Sequence, residues 1–135
     1  MLAAGSLYFF VVFAAGFLLG AVRVLWIGPA LGPVAAVLIE LPILLSFSWM
    51  VCGRIQRKWR IGSEGGADIG MGAVAFVLLM LAEAALSVLL NGPPVRAFWL
   101  RMATVEGAIG LAGQILFAAL PAIRSRLASR WREPQ

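Results

Sequence analysis

Four long apolar segments occupy most of the chain and limit what it can fold into. A helix needs about 20 apolar residues to cross the hydrocarbon core of a bilayer, and each segment reaches that length. The composition agrees, because 62% of the 135 residues are hydrophobic and 13% are charged, roughly half the charged fraction of a soluble domain. The sequence therefore predicts an all-α, integral membrane four-helix bundle that forms a single domain over residues 1–135. The predicted spans are residues 2–27, 33–52, 71–90 and 102–123.

Short polar or Gly/Pro-rich stretches separate the four segments. Residues 28–33 (GPALGP) are typical of a turn, because glycine and proline interrupt regular structure. The longest polar link, residues 61–70, contains Glu64 and Asp68. Residues 91–101 combine a Gly-Pro-Pro break with arginines and aromatic residues, a composition typical of the headgroup zone. The first two spans, and likewise the last two, are therefore expected to be antiparallel neighbours joined by short turns.

The basic residues are concentrated on one side of the predicted bundle. With four spans, the link after the second span and the tail after the fourth lie on the same side, and together they hold eight basic residues. The opposite side holds Arg23, Arg96 and Arg101. The positive-inside rule makes the richer side cytoplasmic. We therefore expect a multi-pass protein of the bacterial inner membrane with both termini in the cytoplasm.

The C-terminal tail, residues 124–135, is basic and patterned. Ile123, Leu127 and Trp131 recur at every fourth position with arginines between them. This spacing favours a helix that continues out of the fourth span and lies on an anionic leaflet. A solvated tail that only determines the orientation of the protein is the alternative.

The remaining composition excludes several classes of protein. The formal net charge of +5 is explained by residues at the ends of the spans, so nucleic-acid binding is not expected. Cys52 is the only cysteine, which excludes an intrachain disulfide or a Cys-x-x-Cys redox pair. The chain has no histidine, the commonest metal ligand. We therefore expect no metal site and no cofactor.

Four ionisable residues lie inside the predicted spans: Arg23, Glu40, Glu83 and Glu106. Charged groups in a span are energetically costly, and they usually face the bundle interior, a partner charge or water. The rise of about 1.5 Å per residue places all four in the half of the bilayer opposite the basic side. Gln114 lies on the same helix face as Glu106. These five residues are the candidate binding or ion-pair cluster, with Arg23 and Glu40 predicted to pair.

Small residues and a proline mark the expected helix-packing faces. Gly16 and Gly20 share one face of the first span, and Gly110 lies between the polar positions of the fourth span. Small residues let helix backbones approach closely. Pro42 removes a backbone N–H within one turn of Glu40, which predicts a kink beside that acid. These four residues are the predicted packing positions.

Several stretches resemble an uncharacterised family of small four-span bacterial inner-membrane proteins. They are Gly20–Trp26 (GAVRVLW), Pro33, Glu40–Pro42 (ELP) and Leu79–Glu83 (LMLAE). The resemblance extends over the first three spans and implies a multi-pass inner-membrane protein. It brings no known activity and no known site residues.

Two hypotheses for function remain open from the sequence. In the first, the protein is a transporter-like, channel-like or proton-linked module. Glu40 and Glu83 respond to protons or cations, Arg23 holds Glu40 charged or binds an anion, and Gln114 lines the site. In the second, the protein is a non-catalytic accessory subunit or assembly factor whose polar residues pair with another membrane protein. A homo-oligomer in the bilayer is compatible with the first hypothesis.

A membrane enzyme that acts on lipid is a third hypothesis. Acid–arginine pairs beneath a leaflet can serve such chemistry, but the sequence supplies no convincing nucleophile–base set. Catalysis is therefore the least favoured of the three.

Overall fold

The computed structural model of the protein describes residues 2–62, 64–91 and 96–131. The side chains of five of these residues lie outside the description: Leu90, Asn91, Ala97, Phe98 and Arg101. All regular secondary structure in the described residues is helical, which confirms the all-α prediction. The helices are α1 (Leu2–Val22), α2 (Gly28–Leu31), α3 (Pro33–Trp59), α4 (Ala67–Asn91), α5 (Arg96–Met102) and α6 (Val105–Arg130).

Four of the helical segments are long and apolar enough to cross a membrane. The first is continuous from Leu2 to Leu31, because a π-helical segment, Arg23–Ile27, joins α1 to α2. The others are α3, α4 and α6. The weakest is α6, with a mean hydropathy of 1.5 against at least 2.1 for the rest, since glycines and a glutamine dilute its apolar content. The four predicted apolar segments thus correspond to four long helices.

The four long helices form a square in cross-section. Helix α1 packs against α3 and α4, and α6 packs against the same two helices, so α1 faces α6 across one diagonal. The pairs α1/α3 and α4/α6 are antiparallel and joined at the same end of the bundle, as expected from the short turns. Helices α3 and α4 follow one another in the chain but lie on opposite corners.

The two ends of the bundle differ in charge. We call the end with Gly32 and α5 the turn end. The opposite end carries the arginines of residues 54–60 and 124–130, and we call it the basic end. Helix α6 continues to Arg130, so the predicted helical extension of the fourth span is present, whereas residues 132–135 of the tail lie outside the described residues.

The helix boundaries depart from the sequence prediction in two places. The turn predicted over residues 28–33 is confined to Gly32, whose φ of 86° is available to glycine but strained for other residues. The second departure concerns Asp68, which the sequence predicts to lie in the polar link. It is fully buried in the first turn of α4, where its Oδ1 accepts a hydrogen bond from the Ile69 N–H at 2.9 Å.

The apolar core lies in the half of the bundle nearer the basic end. Ala4, Tyr8, Cys52, Met71 and Ala75 are each 0% exposed there and come from α1, α3 and α4. The outer surface is also apolar. Close packing is therefore concentrated in one half of the molecule, and the large apolar side chains that cover its outside suit a lipid environment rather than water.

Close helix–helix approach depends on glycines of the basic half. A Cβ at Gly72 of α4 would overlap with the carbonyl oxygen of Ala118 in α6. A Cβ at Gly5 of α1 would lie 2.8 Å from the Met71 carbonyl oxygen of α4. Each distance is shorter than real Cβ contacts allow, so the absence of a side chain lets these backbones meet.

The glycines predicted as packing positions lie farther from neighbouring groups than Gly5 and Gly72 do. Gly16 makes ordinary contact with Leu44 of α3, 3.6 Å from the Gly16 Cβ position. The nearest described group to a Cβ at Gly20 is the Arg23 guanidinium, 4.0 Å away. Around a Cβ at Gly110, no described atom outside its own helix backbone lies within 4 Å. Close packing of α6 in fact uses Gly113, where a Cβ would collide with Leu41 of α3.

We expect Gly72→Ala to lower the free energy of unfolding in detergent micelles by ~1–3 kcal/mol, because the methyl group overlaps with backbone. Gly110→Ala is the matched control, since both substitutions gain the same helix propensity and only one meets a neighbour. Titration with SDS, followed by circular dichroism, measures both. Equal stability of the two variants would contradict the packing described above.

Candidate functional site

A cavity of about 780 Å³ lies between the helices in the half of the bundle nearer the turn end. All four long helices contribute to its wall. Its lining extends from Phe117, near the middle of α6, to Thr104 at the start of that helix. The cavity is lined by all five residues of the candidate cluster: Arg23, Glu40, Glu83, Glu106 and Gln114.

Arg23 and Glu40 form an ion pair across α1 and α3. The Arg23 Nε lies 2.6 Å from the Glu40 Oε2. The Glu40 side chain is 14% exposed and that of Arg23 is 35% exposed, so much of the pair is removed from solvent. Arg23 opens the π-helical segment, and Gly20 one turn earlier leaves room beside its guanidinium. The pair predicted from the sequence is therefore present and occupies the cavity wall.

Glu83 and Gln114 form a second polar contact, between α4 and α6. The Gln114 Nε2 donates to both carboxylate oxygens of Glu83, at 2.7 Å each. The Gln114 Oε1 is buried and has no hydrogen-bond partner among the described residues. A buried amide oxygen normally accepts a hydrogen bond. This oxygen is therefore an acceptor with unused capacity beside an acid in the cavity wall.

Glu106 lies in the first turn of α6, where its position has a structural explanation. The Thr104 side chain caps the helix by accepting a hydrogen bond from the Gly107 N–H at 3.1 Å. A carboxylate near a helix N-terminus is stabilised by the helix dipole. Within the described part of the chain, Glu106 forms no ion pair. Of the two arginines near it in the sequence, Arg96 is exposed, and the side chain of Arg101 lies outside the described residues.

Helix α3 runs without interruption through Pro42 from Pro33 to Trp59. The Ser46 hydroxyl donates to the carbonyl oxygen of Pro42 at 2.6 Å, one turn along the helix. Pro42 lies two residues after Glu40, and Leu41 between them points toward Gly113 of α6 and also lines the cavity. The proline thus sits in the α3 segment that forms the cavity wall.

Beneath the cavity, a tyrosine of α1 compensates for a proline of α6. Pro121 has no N–H, so the carbonyl of Phe117 four residues earlier lacks its helical donor. The Tyr8 hydroxyl donates to that carbonyl oxygen at 3.1 Å. The rings of Tyr8 and Phe117 also stack, with centroids 4.5 Å apart. Because Phe117 lines the cavity, this contact between diagonal helices forms its floor.

A further layer of polar contacts lies closer to the basic end. The Gln56 Nε2 donates to the carbonyl oxygen of Pro121 at 2.7 Å, linking α3 to α6. The Ser125 hydroxyl donates to the Asp68 Oδ2, linking α6 to α4. These contacts close the bundle below the cavity floor.

The sequence patterns do not identify Tyr8, Gln56, Pro121 or Ser125, and they place Asp68 in a loop. One feature of the sequence does indicate a polar contact in this region. Pro121 interrupts the fourth predicted span and therefore requires a donor for the carbonyl of Phe117. The donor is Tyr8, which lies 109 positions from Phe117 in the chain. Only the packing of the helices identifies it.

Comparison with known proteins identifies no relative. No family model matches the chain, and neither a curated protein nor a solved structure shows significant similarity to it. The chemistry of the cavity is therefore the basis for the functional proposal.

The lining of the cavity has the composition of a binding site. Among the described residues, no three His, Cys, Asp or Glu side chains come together as a group that could hold a metal ion. The cavity offers separate acidic and amide groups on an otherwise apolar wall. A few placed polar groups in a large apolar cavity are typical of a small-molecule binding site.

We expect Tyr8→Phe to destabilise the protein by ~1–3 kcal/mol, because the substitution keeps the ring stacking but leaves the buried Phe117 carbonyl without its donor. In a Pro121→Ala background the restored N–H of residue 121 supplies that carbonyl, so Tyr8→Phe should have less than half the effect. A double-mutant cycle of SDS unfolding measures the coupling. Strictly additive effects would show that the two residues act independently.

Proposed function

We propose that the protein is a small transporter-like or channel-like membrane module whose solute or proton site is the turn-end cavity. The observation that carries this proposal is convergence: five polar residues widely separated in the chain line one cavity. Polar groups in an apolar bundle are costly unless they pair or face water. Their position around a cavity of this volume favours a binding role over a purely structural one.

In the proposed setting, the four helices span the bacterial inner membrane with both termini in the cytoplasm. The support for this orientation is the excess of basic residues at the basic end, eight against three. The cavity then lies in the outer half of the bilayer. A solute would enter it from the turn end.

Glu83 and Glu40 have different proposed roles. Glu40 is paired with the Arg23 guanidinium 2.6 Å away, so this pair stabilises the contact between α1 and α3. Glu83 is bound by a neutral amide from Gln114. An amide tolerates both protonation states of a carboxyl group, since it offers a donor and an acceptor. Glu83 is therefore the proposed proton- or cation-responsive group.

Passage across the membrane requires the basic half to open. The contacts that close it join different helices: Tyr8 to the Phe117 carbonyl, and Gln56 to the Pro121 carbonyl. Each bond has a backbone oxygen as its acceptor. We propose that these contacts break and re-form as access alternates between the two ends.

Proton flux into liposomes tests this proposal. The purified protein is reconstituted around a pH-sensitive dye, and a potassium gradient with valinomycin supplies the driving force. We expect flux above that of empty liposomes, and a reduction of roughly a hundredfold in Glu83→Gln, as for the loss of a positioned proton-transfer group. Glu40→Gln should reduce the flux through loss of the helix contact. The matched control is Glu64→Gln, since Glu64 is exposed and outside the cavity.

Two results would contradict transport by this site. The first is flux that is unchanged in both Glu83→Gln and Glu40→Gln. The second is flux no greater than in empty liposomes, together with stoichiometric recovery of the protein in a larger complex after gentle-detergent purification. That second result would favour an accessory subunit or assembly factor.

A further inference from the structure

An arginine at the basic end is held between two of the long helices, around Trp49 and Gly53 of α3 and Arg124 of α6; we call this place the α3/α6 seam. We infer that the α3/α6 seam binds the headgroup of an anionic phospholipid, with the phosphate on Arg124. This inference rests on the membrane setting of the proposed function, since a lipid site requires a bilayer. It does not involve the cavity, and the proposed transport does not require it.

The side chain of Arg124 lies across the face of α3. Its guanidinium carbon is 4.9 Å from the centre of the Trp49 ring, within the range of a cation–π contact. The same guanidinium occupies the space that a side chain at Gly53, one turn beyond Trp49, would fill. Arg124 is half-buried. The tryptophan ring and the glycine backbone therefore hold this positive charge in one place on the surface of the bundle.

The charge of this guanidinium is not compensated by an acid among the described residues. The single ion pair that they form lies in the cavity, toward the turn end. At the basic end, Asp68 is buried in α4 and accepts a hydrogen bond from the Ser125 hydroxyl, while Glu64 is exposed in the link before α4. An arginine without an acidic partner favours an anionic ligand, and its planar guanidinium matches the geometry of a phosphate.

Two more arginines of α3 adjoin the α3/α6 seam. Arg54 follows Gly53 directly, and Arg57 lies one turn beyond Gly53 on the same helix face. Both side chains are exposed, and neither forms an ion pair with a described carboxylate. A phosphate on Arg124 therefore has further positive charge beside it. This charge attracts an anionic headgroup and opposes the ammonium group of a zwitterionic one.

The depth of the α3/α6 seam matches that of lipid phosphates. The second predicted span ends at residue 52 and the fourth at residue 123, so Gly53 and Arg124 each take the first position beyond the hydrocarbon core. Tryptophan is enriched at this depth, which agrees with the position of Trp49. The seam therefore lies at the level where the phosphates of the cytoplasmic leaflet are in the proposed orientation.

Apolar surface continues from the α3/α6 seam toward the turn end. Exposed apolar side chains of α3 and α6 on this surface are Ile43, Met50, Leu116 and Ile123. A free phosphate ion would contact only the arginines, whereas the acyl chains of a phospholipid would also cover the apolar side chains. Basic pockets between membrane helices on the cytoplasmic side bind lipid headgroups in this way. The combination favours a phospholipid as the occupant.

Two lipids that differ only in the headgroup test the inference. Phosphatidylglycerol and phosphatidylcholine with identical acyl chains are added separately to the protein in a neutral detergent, and native mass spectrometry gives the apparent Kd of each. We expect phosphatidylglycerol to bind at least tenfold more tightly. Arg124→Gln should weaken phosphatidylglycerol binding about fivefold or more, as for the loss of one basic residue at an anionic headgroup, and should leave phosphatidylcholine binding unchanged.

Two further variants separate a defined site from general attraction to the basic end. Arg126→Gln removes the same charge from an exposed position on a different face of α6, and it should change binding less than twofold. Gly53→Ala keeps every charge but places a methyl group where the Arg124 guanidinium lies, so it should weaken phosphatidylglycerol binding. Arg57→Gln, at an exposed position, is a second test if Arg124→Gln disturbs the fold, which circular dichroism checks.

Several results would overturn the inference. Equal weakening in Arg124→Gln and Arg126→Gln would show only diffuse attraction, and unchanged phosphatidylglycerol binding in Gly53→Ala would exclude the described position of Arg124. Displacement of the lipid by inorganic phosphate at the same concentration would exclude a lipid as the specific occupant. Equal binding of the two lipids, with recovery of another membrane protein that is lost in Arg124→Gln, would indicate an acidic protein partner instead.

The lipid measurements do not depend on transport. Phosphatidylglycerol binding that is lost in Arg124→Gln, in a protein without proton flux, would support the lipid site and contradict transport. Proton flux that depends on Glu83, in a protein without preference for phosphatidylglycerol, would do the reverse. The two proposals therefore fail on different results.

Discussion

Polar groups inside an apolar bundle need partners within the protein, because neither lipid nor apolar side chains can supply hydrogen bonds. The rest of the structure depends on this constraint. Where Pro121 removes an N–H from α6, the Tyr8 hydroxyl of α1 supplies the Phe117 carbonyl. Where a guanidinium enters the bundle at Arg23, a carboxylate lies 2.6 Å away on α3. Each of these two contacts joins two particular helices.

These contacts divide the bundle into two halves with different properties. In the basic half, glycines such as Gly72 bring helix backbones together, and the side chains of the core are fully buried. In the other half an open cavity of about 780 Å³ lies between the helices. A cavity lined by paired polar groups can exchange those pairs for contacts with a ligand, whereas the packed half must break contacts between helices before it can open. This asymmetry underlies the proposed function.

Much of the fold was predictable from the sequence. Hydropathy over 20-residue windows is a local property, and it predicted the four long helices. The pairing of Arg23 with Glu40 followed from the similar depths of these two residues on consecutive spans. The prediction that Asp68 lies in a polar loop was wrong. Its neighbours in the chain are mostly glycine and polar residues, which are typical of a loop. In the structure α4 begins at Ala67, and Asp68 is buried against Ser125. Gly110 faces the cavity rather than a neighbouring helix, a distinction that spacing along one helix does not contain.

The sequence by itself determined that four helices form, because hydrophobic length is a property of each helix alone. It also determined that four charged residues lie at similar depths, because the rise per residue is fixed within each helix. These residues are Arg23, Glu40, Glu83 and Glu106. Only the tertiary structure decided which helices are neighbours. It placed α3 and α4 on a diagonal although they are consecutive, and it brought Gln114 to Glu83. The physical reason is that neighbour choice depends on how whole helix faces fit together, and that fit involves residues far apart in the chain.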